Sequence, residues 1–486
     1  MSDAIRHLEP KAVWEYFYQL TQVPRPSKHE EKIRAFMIKF GNDLGLETFM
    51  DEVGNVIIRK PATKGMEDRK GVVLQGHLDM VPQANSDKKH DFAKDPIDAY
   101  VDGEWVTANG TTLGADNGMG VAAAMAILSS KEVVHGPLEC LFTADEETGM
   151  SGAFGLKPNV LKGDILLNLD SEDEGELYVG CAGGIDGSFY FDAKLKEVPT
   201  HHTAFKLSVT GLRGGHSGLD IALGRGNANK IIFRYLHLAL ERYNIRIAEI
   251  SGGNLRNAIP REAFATIVIP EGKAGELAGN VAQFEKIIQK ELASADPNVS
   301  IKVTPTEMPE KVISDGVQSR LTKAIYGCQN GAIRMSQDMI GLVETSSNLA
   351  IVKLVGDQIA VHCLLRSSVD TAKEDLANSI GSVFRLADAR VEFTGEYPGW
   401  KPNMDSDILK IMQSTYKKLY NKIPEIKAIH AGLECGLLGG IYPHWDMISF
   451  GPTMRFPHSP DEKVNIATVG KFYNWLLETL KNIPKK

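Results

Sequence analysis

The chain has 486 residues, of which 43% are hydrophobic and 24% are charged. This is the composition of a globular protein with enough apolar residues for more than one core. A formal net charge of −8, without a cluster of lysines and arginines, argues against nucleic-acid binding. No apolar run approaches the roughly 18–20 residues that cross a bilayer, and the first residues lack a signal-peptide pattern, so we expect neither feature.

The first third of the chain alternates between helical and strand patterns. Helical spacing covers residues 10–21, 28–44 and 118–130. Short apolar strands are predicted at 71–75, 138–144 and 164–169, and a hairpin at 97–113 that turns at Asp102-Gly103. The alternation is typical of an α/β fold.

The pattern changes after Gly183-Gly184. Strands then alternate with amphipathic helices, and no cluster of acids and histidines occurs before the first pattern resumes near residue 400. The simplest interpretation is one discontinuous catalytic domain, residues 1–186 and 396–486, interrupted by an inserted domain, residues 187–395. The insert is long enough for two similar α+β units, although no repeat is visible in the sequence.

The five cysteines are odd in number and dispersed: Cys140, Cys181, Cys328, Cys363 and Cys435. Most of them lie among apolar residues, which indicates buried thiols and no disulfide framework. Such thiols are typical of a reducing compartment, so we expect a cytoplasmic protein.

Acids and histidines follow or close the predicted strands. In chain order they are His77, Asp79, Asp116, the pair Glu146-Glu147, Asp170 and His458. Side chains just past strand ends meet at one edge of an open sheet. Each has an ordinary explanation on its own, since Asp116 could cap a helix and the two glutamates could be solvated. Together they favour one site.

Two histidines with several carboxylates are ligands suited to a pair of divalent metals. Such metals lie about 3.5–4 Å apart and can share one carboxylate and one water, whose pKa falls toward neutrality. Asp79, two residues from His77, is placed to fix the tautomer of that histidine. One of the two adjacent glutamates suits a general base.

These residues lie in motifs that resemble the dinuclear-zinc peptidase family, which includes glutamate carboxypeptidase, aminoacylase and the bacterial di- and tripeptidases. The motifs are Gly-His77-Leu-Asp79-Met-Val-Pro, Gly-Ala-Asp116-Asn-Gly, Asp145-Glu146-Glu147-Thr-Gly, Leu-Asp170, Gly-Gly-His216-Ser-Gly, Gly-Gly-Asn254-Leu-Arg-Asn257-Ala-Ile-Pro and Pro-His458-Ser-Pro. The resemblance implies an α/β catalytic domain of the zinc-peptidase type. Its central, mostly parallel sheet is flanked by helices, and an inserted α+β domain forms a lid.

The resemblance also implies a role for each residue of the set. His77 and Asp170 would hold one zinc, Glu147 and His458 the other, and Asp116 would bridge the two. Glu146 would be the general base and Asp79 would orient His77. A hydroxide that bridges the metals would attack the peptide carbonyl. The family further implies a cis peptide between Asp116 and Asn117.

Within the family, the length, the large insert and the segment Ala-Gly432-Leu-Glu434-Cys-Gly436 resemble the aminoacyl-histidine dipeptidase branch. Substrates of that branch are dipeptides with a C-terminal histidine, carnosine-like ones included. By resemblance, His216 would polarise the scissile carbonyl, and Asn257 and Arg366 would bind the substrate carboxylate. Glu434 would meet the free amine, which selects true dipeptides over N-acylated ones.

Other functions stay open at this point. A di- or tripeptidase of broader specificity, or an amidohydrolase acting on N-acyl amino acids, could use the same site. A dinuclear phosphoesterase would need basic residues among the motifs, and a non-catalytic binding protein would have lost a ligand or the base. We expect two zinc ions per chain, although cobalt and manganese suit the same ligands.

The expected partner is a small peptide substrate. In smaller members of the family the lid also dimerises, so a homodimer is one expectation. A lid of this size could instead supply the same contact within one chain.

Overall fold

The computed structural model describes residues 2–486. The chain divides into two compact units. Unit 1 is formed by Met1–Gly180, Pro402–Ala428 and Leu433–Lys486, and unit 2 by Cys181–Lys401 and Ile429–Gly432. Residues 429–432 thus belong to unit 2 although the segments on both sides of them belong to unit 1, and no sequence pattern indicated this.

The first segment of unit 1 begins with a short 3-10 helix, Ser2–His7, and then contains five helices and eight strands. These are α1 (Lys11–Thr21), α2 (Glu31–Asp43), β1 (Glu47–Met50), β2 (Val56–Lys60), β3 (Val72–His77), β4 (Ala99–Asp102), β5 (Trp105–Ala108), α3 (Ala115–Ser129), β6 (Leu138–Thr143), α4 (Glu146–Gly149), α5 (Ser151–Gly155), β7 (Ile165–Asn168) and β8 (Glu176–Cys181).

The long segment of unit 2 contains thirteen strands and four α-helices, with a 3-10 turn at Ile221–Leu223. These are β9 (Gly183–Asp192), β10 (Lys196–Glu197), β11 (His202–Thr210), β12 (Gly215–His216), α6 (Ala228–Tyr243), β13 (Arg246–Gly252), β14 (Ala258–Ile259), β15 (Ala263–Pro270), α7 (Glu271–Glu291), β16 (Ser300–Pro305), β17 (Lys311–Val312), α8 (Asp315–Gly327), β18 (Gly331–Met335), β19 (Val343–Val355), β20 (Gln358–Ser367), α9 (Asp370–Leu386) and β21 (Arg390–Tyr397).

The chain then completes unit 1 with three helices and four short strands. These are α10 (Asp407–Tyr420), β22 (Glu425–Ile429), α11 (Glu434–Ile441), β23 (Asp446–Ser449), β24 (Met454–Arg455), β25 (Lys463–Asn465) and α12 (Ile466–Lys481).

The main sheet of unit 1 has the strand order β1-β2-β6-β3-β7-β23-β8-β22. Its four central strands, β6, β3, β7 and β23, run parallel to one another, while β2 and β8 pair antiparallel at their sides. The sheet is therefore mixed, with a parallel centre. Strands β3 and β6 are buried throughout, as parallel strands covered on both faces usually are. Helix α3 packs on β3, and its many alanines and glycines allow the close approach.

The main sheet of unit 2 is antiparallel throughout, in the order β16-β11-β15-β13-β19-β20-β9-β21, with β18 on the other part of β19. Its two halves join at β13 and β19, which share only the pairs Ser251–Lys353 and Gly252–Val352. Helices α6 to α9 contribute to one apolar core with this sheet. There the ring of Phe189 stacks on Phe384 with a centroid distance of 3.9 Å.

The unit boundaries lie six residues outside the predicted ones at 186/187 and 395/396. The reason is the pairing of β9 with β21, in which Asp186 lies opposite Thr394 and Gly184 opposite Tyr397. The residues that flank the predicted boundaries thus belong to one sheet, and both strands fall in unit 2.

All five cysteines are buried, and no disulfide occurs in residues 2–486. No helix in the described part of the chain is both long and apolar enough to cross a membrane.

Candidate active site

The parallel centre of the unit 1 sheet brings the predicted ligands to one edge. His77 is the last residue of β3, Glu146 and Glu147 follow β6, and Asp170 follows β7. These three strands are neighbours and run parallel, so their carboxyl ends lie side by side. Asp116 lies in the first turn of α3, next to a cis peptide bond to Asn117 as the family resemblance implied.

The predicted ligands form two groups that share Asp116. In one, Nε2 of His77 lies 3.0 Å from Oδ1 of Asp116 and 3.4 Å from Oδ1 of Asp170. In the other, Nε2 of His458 lies 3.2 Å from Oδ2 of Asp116 and 2.9 Å from Oε2 of Glu147. Within each group, one ligand atom per residue lies within 4.8 Å of the others. Asp116 thus offers one carboxylate oxygen to each group, as a bridging ligand would.

Asp79 fixes the orientation of His77 through both its carbonyl and its carboxylate. Nδ1 of His77 lies 3.1 Å from the Asp79 carbonyl oxygen and 3.3 Å from its Oδ1. Both partners are acceptors, so Nδ1 carries a proton and Nε2 is left for a metal. The same carboxylate accepts the backbone N–H groups of Glu146 and Glu147, at 3.0 and 3.2 Å. Asp79 therefore aligns the His77 ring and the turn that presents both glutamates.

Glu146 and Glu147 differ in their contacts. Glu147 pairs with His458, whereas the carboxyl of Glu146 makes no hydrogen bond or ion pair with any residue of the range 2–486. Burial raises the pKa of Glu146 well above its usual range, although His77 opposes the shift. A partly exposed carboxyl without a partner, beside the ligands, can accept and return a proton. One ligand atom each of His77, Glu146 and Glu147 also lies within 4.8 Å of the others, so the assignment of Glu147 as the ligand and Glu146 as the base stays a prediction.

The donor set fits divalent cations. No lysine or arginine among the described residues forms an ion pair with Asp116, Glu146, Glu147 or Asp170. One oxygen each of Glu147 and Asp170 is buried without a hydrogen-bond partner. Hydrogen bonds to Asp116 and Glu147 raise the pKa of His458 to about 11. The surroundings that hold a proton so firmly also favour a metal cation in its place.

Glu434, the predicted amine-binding residue, lies among the same groups of unit 1. Its Oε2 accepts hydrogen bonds from Gln75 (2.6 Å) and Thr143 (2.8 Å), on β3 and β6, while its Oε1 is buried without a partner. Burial raises the pKa of Glu434 to about 7. A buried carboxyl with an open acceptor can receive a charged amine.

The predicted lid histidine, His216, has a defined tautomer in unit 2. Its Nδ1 accepts the backbone N–H groups of Gly218 (3.2 Å) and Leu219 (3.0 Å), so the ring proton is on Nε2. Burial and the nearby Arg366 guanidinium lower the pKa of His216. The ring is therefore a neutral donor, suited to a hydrogen bond with a carbonyl oxygen.

Asn257 and Arg366 also lie in unit 2. The Asn257 carbonyl accepts the N–H of Ser217, next to His216, at 2.8 Å. Arg366 is 6% exposed, and its Nη1 donates to the Tyr397 hydroxyl at 3.0 Å. It has no carboxylate in salt-bridge contact within residues 2–486, and its Nε is buried without a partner. A buried guanidinium in this state can bind a carboxylate.

Sequence reasoning missed His430, which lies in the short segment 429–432 of unit 2. Its Nε2 is 2.7 Å from the Ser346 hydroxyl, and its Nδ1 is buried without a partner. Its carbonyl oxygen would lie 2.0 Å from a Cβ atom at position 218, so the Gly218 of the His216 motif has no room for a side chain.

Parallel strands that end in this donor set form the architecture of a metal-dependent hydrolase. A sequence model of the family described as Peptidase family M20/M25/M40 matches residues 73–482. The chain belongs to this family, and the resemblance of the motifs is confirmed.

Two relatives match over the whole length. The chain is 46% identical to the cytosol non-specific dipeptidase of Escherichia coli K12, over 99% of both chains. It is also similar to the crystal structure of aminoacylhistidine dipeptidase from Vibrio alginolyticus, with a TM-score of 0.96, 47% identity and all of both chains covered.

A more distant structure, the aminopeptidase PepT of Bacillus cereus, has 16% identity and a TM-score of 0.58, with 98% of this chain and 99% of that one covered. At this identity the likeness concerns the fold alone. Together the family and its full-length relatives identify the chain as a metal-dependent peptidase.

Proposed function

We propose that the chain is a dipeptidase that hydrolyses Xaa-His dipeptides with two zinc ions per chain. The observation that carries the proposal is the pair of ligand groups sharing Asp116, in a chain similar over its full length to two dipeptidases. His77, Asp116 and Asp170 would hold one ion, and Asp116, Glu147 and His458 the other. When bound, the ions supply Lewis acidity toward the peptide carbonyl and acidify water.

The protein's own groups move the proton. In the proposal, Glu146 accepts a proton from the attacking water and donates it to the leaving amine. Its carboxyl has no competing partner in the described structure, so it is free to accept the proton and to return it. Asp79 keeps the turn of Glu146 in place through the backbone.

Recognition of a dipeptide requires a site for each of its charges. We assign the free amine to Glu434, whose Oε1 lacks a partner, and the C-terminal carboxylate to Arg366, whose Nε lacks an acceptor. His216 would donate from Nε2 to the scissile carbonyl oxygen, with Asn257 beside it. An N-acylated substrate would leave Glu434 buried and unpaired, which disfavours the amidohydrolase alternative.

A panel of substrates tests this function on metal-reconstituted protein. We expect kcat/KM to be highest for dipeptides, with Ala-His among the best, and to fall at least about 100-fold for N-acetyl-histidine, because a charge-assisted contact is lost. Equal rates for Ala-His and Ala-Leu would contradict a histidine preference and favour the non-specific dipeptidase. Faster cleavage of N-acetyl-histidine than of Ala-His would overturn the assignment of a dipeptidase.

Glu434→Gln tests the amine-binding role within the same substrate panel, because it keeps the shape of the side chain and removes its charge. We expect the preference for Ala-His over N-acetyl-histidine to shrink by about 10-fold or more. The same substitution at Glu425, an exposed residue of β22, serves as the control.

The zinc ions, a cytoplasmic location and a homodimer remain parts of the proposal that need separate tests. Elemental analysis of protein purified without added metal would identify the ion. Cell fractionation would give the location. Sedimentation at several protein concentrations would show whether two chains associate.

A further inference from the structure

Glu462 is a buried carboxylate that no sequence motif had singled out, four residues beyond His458. Its Oε2 accepts the backbone N–H groups of Leu113 (2.8 Å) and Gly114 (2.9 Å). Its Oε1 accepts those of Ala115 (2.7 Å) and Asp116 (3.2 Å). One side chain therefore accepts four consecutive backbone N–H groups, and the last is that of Asp116, whose carboxylate is shared by both ligand groups.

Arg25 holds the same loop from its carbonyl side. Its Nη2 donates to the Gly114 carbonyl, and its Nη1 donates to the carbonyls of Leu78 and Asp79, both at 3.0 Å. Arg25 is 3% exposed and forms no ion pair in residues 2–486. It thus joins the loop before Asp116 to the segment that follows His77.

The glycines of the Asp116 motif provide the space that Arg25 occupies. A Cβ atom at Gly114 would lie 2.6 Å from Nη2 of Arg25, and one at Gly118 would lie 2.7 Å from it. Gly114 also has a φ of +71°, which favours glycine. The spacing of these glycines around Asp116 is therefore explained by a guanidinium from the start of the chain.

Glu462 and Arg25 do not form salt bridges, as buried charges often do. Glu462 instead accepts N–H groups of the loop before Asp116, and Arg25 donates to the carbonyl of Gly114 in the same loop. A shift of this loop would leave a buried charge unsatisfied, which is energetically unfavourable. Asp116 is at the end of that loop.

We propose that Glu462 and Arg25 are positioning residues that hold the shared carboxylate of Asp116, and that they set the affinity for both metal ions. Partners behind the ligands of a metal site commonly change affinity by about 10–100-fold when they are removed. Because Asp116 serves both groups, its displacement weakens both ions together. The inference rests on the proposed metal pair and deepens it.

Glu462→Gln tests the proposal, and Glu139→Gln is the control. Glu139 lies near the start of β6, at the end opposite the two glutamates that follow this strand. Glu139 is also buried and accepts two backbone N–H groups, those of Lys162 (2.7 Å) and Gly163 (2.9 Å), but it also pairs with Arg59 (2.8 Å) and lies away from the ligands. The affinity of each metal equivalent is measured by competition with a chelator for Zn²⁺. Visible spectra of the Co²⁺-saturated proteins report the ligand geometry, and thermal unfolding of the metal-free proteins reports the fold.

We expect E462Q to weaken both equivalents by about 10–100-fold and to alter the Co²⁺ spectrum, while E139Q loses stability and binds metal as the wild type does. Unchanged affinity in folded E462Q overturns the proposal. Equal losses in E462Q and E139Q overturn it as well, because they indicate a general loss of stability.

If E462Q does not fold, Arg25→Lys tests the same proposal, because a lysine keeps the charge but cannot donate to all three carbonyls. We expect R25K to weaken both equivalents by about 3-fold or more, and unchanged affinity overturns the proposal. If neither variant folds while E139Q does, a role limited to positioning is excluded. Metal binding is read without substrate, so a wild type that binds two ions but does not hydrolyse dipeptides would refute the proposed function and leave this inference intact.

Discussion

The candidate site residues of unit 1 include several acids, whereas those of unit 2 include a buried arginine. At the carboxyl edge of its sheet, unit 1 gathers Asp116, Glu147 and Asp170 without a lysine or arginine in ion-pair contact among residues 2–486. Unit 2 buries Arg366 without a carboxylate in such contact in the same range.

Each unit also contains charges that are paired. In unit 1, the partly buried Arg59 lies between Glu47 (2.5 Å) and Glu139 (2.8 Å). In unit 2, Lys373 is 1% exposed and pairs with Asp370 at 3.0 Å and Glu396 at 3.4 Å. A paired charge supports the fold, whereas an unpaired one is costly to keep unless a ligand compensates it. Charges satisfied by an ion pair or, as at Arg25 and Glu462, by backbone groups are therefore structural, whereas Arg366 and Glu147 keep buried atoms open to a ligand.

The largest effect is expected for Glu146→Gln in unit 1. The substitution removes the proposed base and no ligand, so kcat should fall by about 10²–10⁴ while the metal content is unchanged. Steady-state kinetics with Ala-His and elemental analysis of the same preparation give both numbers.

Glu147→Gln is the matched control for that prediction, because it changes the adjacent residue in the same way. We expect it to lower the metal content instead. If E147Q keeps its metals and E146Q loses one, the roles of the two glutamates are exchanged.

His458→Ala removes one ligand from the group of Asp116 and Glu147. We expect one of the two ions to be lost, and activity with it, because the remaining carboxylates cannot replace the imidazole. The exposed His444 provides the control substitution. Two tightly held ions per chain in H458A would exclude His458 as a ligand.

A smaller effect is expected for Arg366→Lys in unit 2. Lysine keeps the charge but cannot offer the planar fork that binds a carboxylate, so KM for Ala-His should rise by about 10–100-fold, with a smaller change in kcat. Arg234→Lys, which changes an arginine already paired with Glu291, should leave KM unchanged. If KM for Ala-His is the same in both variants, Arg366 does not bind the substrate carboxylate.

The last effect concerns stability and not catalysis: the acid stability of unit 2. Burial, with Arg366 and His216 nearby, lowers the pKa of His430 to about 3. Below the pKa of about 6.5 that an unfolded histidine has, the unfolded chain binds a proton that the folded one rejects, so stability falls as the pH falls toward the folded pKa.

His430→Gln should therefore flatten the decrease in unfolding free energy between pH 6.5 and 4 by up to about 1.4 kcal/mol per pH unit. Urea unfolding at fixed metal content measures it, with the exposed His7 as the site of the control substitution. Parallel stability curves for H430Q and the wild type would show that His430 does not titrate in this way.

Most of the candidate ligand set could be predicted from the sequence, because His77, Glu147 and Asp170 follow apolar strands and Asp116 lies in a glycine-rich turn. His77, Asp170 and the two glutamates follow neighbouring parallel strands, and topology brings such ends together. The α/β pattern of unit 1 and the existence of an insert were readable for the same reason, since strand and helix periods are local.

The features that could not be predicted from the sequence depend on contacts between residues far apart in the chain. Arg25 and Glu462 meet the same loop from opposite ends of the chain, and neither lies in a motif typical of metal sites. The exact limits of unit 2 depend on the pairing of β9 with β21, which periodicity does not reveal. His430 joins unit 2 through four residues, too few to form a pattern.

Those four residues also affect how the chain is made. Ala182, at the start of unit 2, donates its N–H to the carbonyls of Ile429 (3.1 Å) and Ala431 (3.0 Å), which are synthesised some 250 residues later. Domains generally fold as units during synthesis, from the N-terminus onward. Unit 2 is therefore incomplete when Lys401 has emerged, because His430 follows 29 residues later. A separately expressed 181–401 fragment would therefore be an incomplete domain.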